Sequence, residues 1–222
     1  MPHSELPYWL VNVPRDQWPA ECPEFLREVS EKDRAIIGTP DSEYQAMSWA
    51  EVQEIIKTNR IDLFQRKPSE LRRYRHYTWE LVQKYGSIMD FVVSERLKWA
   101  DLRPSGPPFS NPDDLKILCN DWPYGLDERI VHLVVWTRFE MEERAEDGDL
   151  TAKARREIDG YVDRTFCSRV GAEKVIWFRN WRSLQSVHAV PHFHVMLYDA
   201  DEATVREMTG GDVPLSAKVA AL

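Results

Sequence analysis

Gln185-Ser-Val-His188-Ala-Val190-Pro-His192-Phe-His194-Val-Met-Leu197 is the segment on which the fold turns. Three of the chain's six histidines fall inside it, in a run whose other residues read as a β-strand over about Val190–Tyr198. Side chains two apart on a strand point to the same face. His192 and His194 therefore stand side by side, while Phe193, Val195 and Leu197 face a core on the other side. Imidazoles near neutral pH are nucleophiles, proton carriers and metal ligands. A pair of them on a rigid strand costs stability unless something uses or satisfies them, so the search for chemistry begins here.

Working outward, the neighbouring segments suit a strand-rich half. Val175–Phe178 reads as a strand, and Arg179–Ser186 is the loop joining it to the histidines. Before it, Asp149–Val170 has the pattern of one helix ending at Gly171. Leu115–Cys119 and Val131–Thr137 are short runs of β-branched and aromatic residues separated by the turn Asn120-Asp-Trp-Pro-Tyr-Gly. The order β, β, α, β, β predicts an α+β unit with mostly antiparallel strands and a helix across one face. Arg103-Pro-Ser-Gly-Pro-Pro-Phe-Ser-Asn-Pro112 cannot continue a helix and separates this half from a helical one. In the first half a short helix is expected near Glu24–Asp33, ending towards Gly38. Ser48-Trp-Ala-Glu51 is a capping box opening a helix to about Asn59. Pro68-Ser-Glu starts a longer helix stopped by Gly86, and Ser87-Ile-Met-Asp90 opens another. The expected domains are a mainly α-helical extension over 1–112 packed on the sheet, an α+β domain over 113–205, and a loosely ordered tail over 206–222.

Composition narrows the function. The 222 residues are 43 % hydrophobic and 30 % charged, as for a soluble globular protein. A net charge of −8 argues against a nucleic-acid or anionic-membrane surface, which would need a basic field. A small phosphorylated ligand held by a few local arginines remains compatible with it. Cys22, Cys119 and Cys167 are odd in number and far apart, so they read as free thiols in a reducing compartment. The first residues lack the pattern of a signal peptide, and no apolar run approaches the roughly 18 residues of a membrane span. A cytoplasmic protein, or one also present in the nucleus, is expected.

The order of pieces in the second half resembles the histidine-triad superfamily of nucleotide hydrolases and transferases. The matching residues are Asn120-Asp121-Trp-Pro123-Tyr124, His132-Leu-Val-Val135, Asn180, Gln185-Ser186-Val187 and His192-Phe-His194-Val-Met196. The likeness covers roughly 115–199. It departs from the family pattern at Val190, where the first histidine would stand, and by one extra residue after Gln185. The resemblance implies a triad-like antiparallel sheet and maps the family's nucleophile onto His192. The whole chain also resembles a fungal family of N-acetylglucosamine-induced proteins, through the Tyr8-Trp9 start, Glu95-Arg-Leu-Lys-Trp99 and the Asn120-Asp-Trp-Pro turn. That likeness implies little mechanism.

On this reading His192 attacks phosphorus and splits one displacement into two steps through a covalent intermediate. His194 binds a phosphoryl oxygen or protonates the leaving group. Asn180, Gln185 and Ser186 donate to the non-bridging oxygens, Arg179 and Arg182 compensate charge, His188 assists from the loop, Asn120 belongs to the same pocket, and Asp121 accepts from ribose hydroxyls. The partner is a nucleotide or phosphorylated sugar, and no cofactor is implied. The alternative is a non-enzymatic regulatory protein that uses the His-x-His pair for a ligand or for a metal, with His188, His132 or an aspartate as further ligand. His132 itself reads as a fold marker satisfied by a backbone carbonyl. The basic run Arg72-Arg-Tyr-Arg-His76, preceded by Arg66 and Lys67, reads as an exposed helix face pairing with glutamates.

Overall fold

The computed structural model describes residues 6–181 and 190–219. Four strands, β1 (Leu115–Cys119), β2 (Ile130–Thr137), β3 (Val175–Phe178) and β4 (His192–Tyr198), form one sheet in the order β1-β2-β4-β3. Every pairing is antiparallel, with Trp136 opposite His192, Val134 opposite His194 and Phe178 also opposite His194. The chain is thus α+β, built on a four-stranded antiparallel sheet with several helices.

The helices are α1 (Glu24–Arg27), α2 (Glu31–Ile37), α3 (Trp49–Lys57), α4 (Pro68–Tyr85), α5 (Ile88–Phe91), α6 (Ala152–Val162), α7 (Ser168–Val170), α8 (Glu202–Thr209) and α9 (Leu215–Lys218). Helix α3 begins with the capping box expected of Ser48 and Glu51. Helix α4 has Pro68 in its first turn and stops at Gly86, whose φ of 84° suits glycine. The single helix expected near Glu24–Asp33 is two, because Ser30 accepts from the Asp33 N–H and starts α2 afresh. The helix expected over Asp149–Val170 starts at Ala152, since Thr151 takes the cap and accepts from the Ala154 N–H. It then widens into a π-turn over Asp163–Cys167 before α7.

Both faces of the sheet are covered, which is why β4 is buried from His192 to Leu197. On one face Leu133, Val135, Phe193, Val195 and Leu197 pack against Leu150, Ala154, Ile158, Val162 and Phe166 of the α6 region. On the other, Leu118 meets Leu81, Phe91, Val92 and Leu97, while Ile130, Phe178 and Met196 meet Val52, Ile61 and Phe64. The histidines lie on this second face, under the helical half.

The segments between and after the halves are tied into the packing. In the Pro-rich stretch, the buried Asp114 carboxylate accepts from the Ser105 and Gly106 N–H groups, and Phe109 packs on Phe139 and Tyr161. The tail expected to be loose over 206–222 carries the end of α8 and, through 219, is held by side chains. Asp212 pairs with Arg96 at 2.8 Å, the Leu215 N–H donates to Asp121, and Arg73 donates to the Ser216 and Val219 carbonyls. A second π-turn over Val92–Leu97 carries Arg96 to this junction.

Candidate functional site

The antiparallel register puts Asn120, His132, Val134, Trp136, Phe178, Asn180, His192 and His194 on one face of the sheet. Above them a cavity of about 160 Å³ opens between sheet and helices. Its walls include Arg66, Tyr74, Thr78, Leu81, Trp136 and His192.

Two hydrogen-bonding systems organise the histidines. The first belongs to His192, whose Nδ1 lies 2.9 Å from the Val190 carbonyl. A carbonyl only accepts, so Nδ1 carries the proton and, in the neutral ring, Nε2 holds the lone pair. The Trp136 ring packs against the imidazole with centroids 4.5 Å apart and limits its rotation.

The second system is a chain. Asn120 accepts from the Trp122 N–H through Oδ1, which fixes the orientation of its amide. Its Nδ2 then donates to His132 Nε2 at 3.2 Å. His194 Nδ1 lies 2.9 Å from the same His132 nitrogen, and Asn180 Nδ2 lies 3.1 Å from His194 Nε2. Asn120 Nδ2 can only donate, so His132 Nε2 is the acceptor; its one lone pair is shared between Asn120 and His194 Nδ1–H, which leaves His194 Nε2 to accept from Asn180. His132 must then carry its proton on Nδ1, a buried atom with no hydrogen-bond partner among the described residues.

Burial, reinforced by the charge of Arg66, lowers the His132 imidazole to about 3. Burial, then the neighbouring His132, His192 and Arg66, holds His194 well below the usual histidine range. Phe178 stacks on His194 at 4.8 Å and Tyr124 on His132 at 5.2 Å, so neither ring can turn freely. His194 is therefore a neutral imidazole with both nitrogens engaged. It is poorly suited to the proton-donor role expected from sequence and well suited to bracing the strand beside His192.

Of the other expected site residues, Asn120 and Asn180 line the cavity as parts of the chain just described. Asp121 lines it too, but its carboxylate is bound to Arg96 and caps the Leu215 N–H, where a ribose acceptor was expected. Burial pushes the Asp121 carboxyl up against the pull of Arg96. Burial also opposes the Arg96 charge, but the hydrogen bonds to Asp212 and the two carboxylates keep that guanidinium protonated. Arg179 departs from expectation: it pairs with Glu143 and is not among the cavity's lining residues. Arg182, Gln185, Ser186 and His188 lie outside the described residues.

Sequence reasoning missed three contributors. His132, expected to bond a backbone carbonyl, bonds two side chains instead, and only the strand register could reveal it. Arg66 precedes the discounted basic run, and Tyr74 lies within it. The rest of that run does hold the fold together. Arg72 donates to the Trp9 carbonyl, Arg73 pairs with Glu70 and Arg75 with Asp33. Among the described residues no three His, Cys, Asp or Glu side chains are grouped so as to hold a metal ion. The Cys119 thiol is raised by burial to about 11, which leaves it unreactive at neutral pH. No helix among the described residues is long and apolar enough to cross a membrane.

An α+β protein with a half-enclosed cavity over a buried histidine cluster is the class that fold and site define. The chain belongs to the family described as Protein of unknown function (DUF3605), which matches residues 48–198. It is similar to N-acetylglucosamine-induced protein 1 of Candida albicans, with 29 % identity over 185 residues that cover 74 % of this chain and 73 % of that one. It is also similar to an uncharacterized protein of Saccharomyces cerevisiae, with 25 % identity over 170 residues, 73 % of this chain and 84 % of that one. The crystal structure of HTC1 shares the fold, with a TM-score of 0.64 at 22 % identity over 76 % of this chain and 98 % of that chain. The likeness to the N-acetylglucosamine-induced proteins thus spans most of the chain. The histidine-triad likeness rests on the residues alone.

Proposed function

We propose that this cavity transfers or hydrolyses a phosphoryl or nucleotidyl group from a nucleotide or nucleotide-sugar-like phosphate, with His192 as nucleophile on a histidine-triad-like sheet. The observation that carries the reading is the hydrogen bond from His192 Nδ1 to the Val190 carbonyl. It fixes the tautomer and the ring plane, the two requirements for an imidazole nucleophile. The carbonyl also stabilises the positive charge that the ring acquires as Nε2 bonds to phosphorus.

In the first step the Nε2 lone pair forms the N–P bond. The bond from phosphorus to the leaving oxygen or nitrogen breaks, and the leaving group departs with that electron pair and takes a proton from solvent. In the second step water attacks phosphorus, the N–P bond breaks, and His192 regains its neutral form as the water's surplus proton is lost to solvent. His194, Asn180 and His132 act as positioning residues, since their hydrogen bonds brace the strand two residues from the nucleophile. Aromatic and apolar walls from Trp136, Leu81 and Phe91 suit a base or a similar flat group beside the phosphate.

Val190 at the position of the first histidine in the histidine-triad pattern favours a second reading, a ligand-binding regulator that has lost turnover. One experiment separates the two. The purified chain is incubated with an adenosine phosphoramidate, a dinucleoside polyphosphate and a uridine diphosphate sugar, and products are followed by phosphorus NMR. Turnover that falls by about 10³-fold or more in His192→Ala, in line with the loss of a catalytic nucleophile, supports the nucleophile. Full turnover in His192→Ala overturns it, and nucleotide binding without turnover selects the regulator.

A further inference from the structure

Two arginines line the cavity, and they differ in what their charge already meets. Arg96 is saturated: Nε and one terminal nitrogen bond Asp121, and both terminal nitrogens bond Asp212. Its charge is therefore already met by two carboxylates. Arg66 is different. Its Nε donates to the Trp122 carbonyl at 2.9 Å, and its guanidinium lies 4.1 Å from the centroid of Tyr74 and 5.5 Å from that of Tyr124. Among the described residues no carboxylate forms an ion pair with it, and its hydrogen bond there is the one from Nε.

The side chain is thus held by two aromatic rings and one backbone carbonyl, and it lines the cavity. A half-buried guanidinium without a counter-ion is costly, and the pattern is that of a group awaiting an anion. Tyr124 connects it to the histidine system, since this ring also packs on His132 and its hydroxyl lies 3.4 Å from Asn180 Nδ2. The cationic end of the cavity is therefore the end that holds the histidine chain. At Arg96, by contrast, the cation is already met by Asp121 and Asp212.

We propose that Arg66 is the anion-binding residue of this site, taking two non-bridging oxygens of the substrate's phosphoryl group on its terminal nitrogens and so presenting phosphorus to His192. This rests on the phosphoryl-transfer reading above and goes beyond it by naming the cation that selects the charged group. The fork geometry favours a tetrahedral oxyanion with two accessible oxygens over a neutral sugar. Arg96, already paired with Asp121 and Asp212, offers no uncompensated cation for a second phosphate, so a nucleoside monophosphate moiety is the preferred occupant.

The test is calorimetric titration of the full chain with adenosine monophosphate and with adenosine at low salt, beside the phosphoramidate turnover assay. Arg66→Gln is expected to weaken monophosphate binding by about 10- to 100-fold, the worth of a charge-assisted hydrogen-bond pair, with little change for adenosine. Arg66→Lys keeps the charge without the fork and is expected to fall between the two. It also serves as the readout if Arg66→Gln does not fold. Arg103→Gln, at an exposed arginine, is expected to match the parent. Unchanged monophosphate affinity in folded Arg66→Gln or Arg66→Lys, or a parent chain that binds adenosine and its monophosphate equally, overturns the proposal. Binding that depends on Arg66 without any turnover upholds it while the nucleophilic role of His192 falls.

Discussion

His132 and His194 show how burial sets the chemistry of one residue. Both have folded pKa values below the unfolded value of about 6.5, the former at about 3. Below pH 6.5 the unfolded chain therefore binds more protons than the folded one. The stability these imidazoles allow is complete above that pH and is lost as pH falls towards the folded values, at roughly 1.4 kcal/mol per pH unit for each ring. Chemical denaturation between pH 7 and pH 5 is expected to show a fall approaching twice that slope. His132→Gln is expected to have about half the dependence of the parent. A flat profile over this interval would mean that the two rings are charged or exposed in the native state.

At the scale of elements, the π-turn over Val92–Leu97 performs a task that a regular helix end would not. It delivers Arg96 to Asp121 in the turn after β1 and to Asp212 beyond α8, so one guanidinium joins three segments distant in sequence. Arg96 and Asp212 are nearly buried, with side-chain exposures of 9 % and 10 %. Arg96→Met removes the cation and leaves two carboxylates facing each other at low dielectric. A loss of about 3–5 kcal/mol is expected in denaturant melts. Asp212→Asn, which keeps an acceptor and removes one of the two negative charges, is expected to cost clearly less. The reverse ranking would refute this assignment of charge.

For the whole molecule, the helical half is a structural layer of the sheet, so an independent C-terminal domain is not expected. Leu118, Ile130, Val134, Phe178 and Met196 are at most 8 % exposed, and their face of the sheet is covered by the helical half. Burying each is worth about 1.5–3 kcal/mol, so uncovering five forfeits on the order of 10 kcal/mol, comparable to the whole stability of a domain. Residues 113–222 expressed alone are expected to aggregate or to bind hydrophobic dyes. The full chain is expected to unfold in a single transition. A fragment that melts cooperatively by itself would show that the two halves are separate domains.

The local sequence already determined much of this protein. Strand β3 falls where its β-branched and aromatic run predicts, and β1 likewise, because four or five such residues between turn formers have few other outcomes. Ser48 with Glu51, Pro68 and Gly86 mark helix ends because caps act within three residues. Alternation along the chain placed His192 and His194 on one face. What lies across that face was decided only by tertiary structure. Register brought His132 to His194 from 62 residues away, and Asn120 to His132. The packing of α4 and the segment before it brought Arg66 and Tyr74 over the sheet, while it left Arg179 with Glu143. The division has one physical cause: backbone preference and capping are short-range and written in adjacent residues. The burial that keeps two imidazoles neutral, and the charge that an arginine meets, depend on surfaces the chain creates only when its halves close on each other.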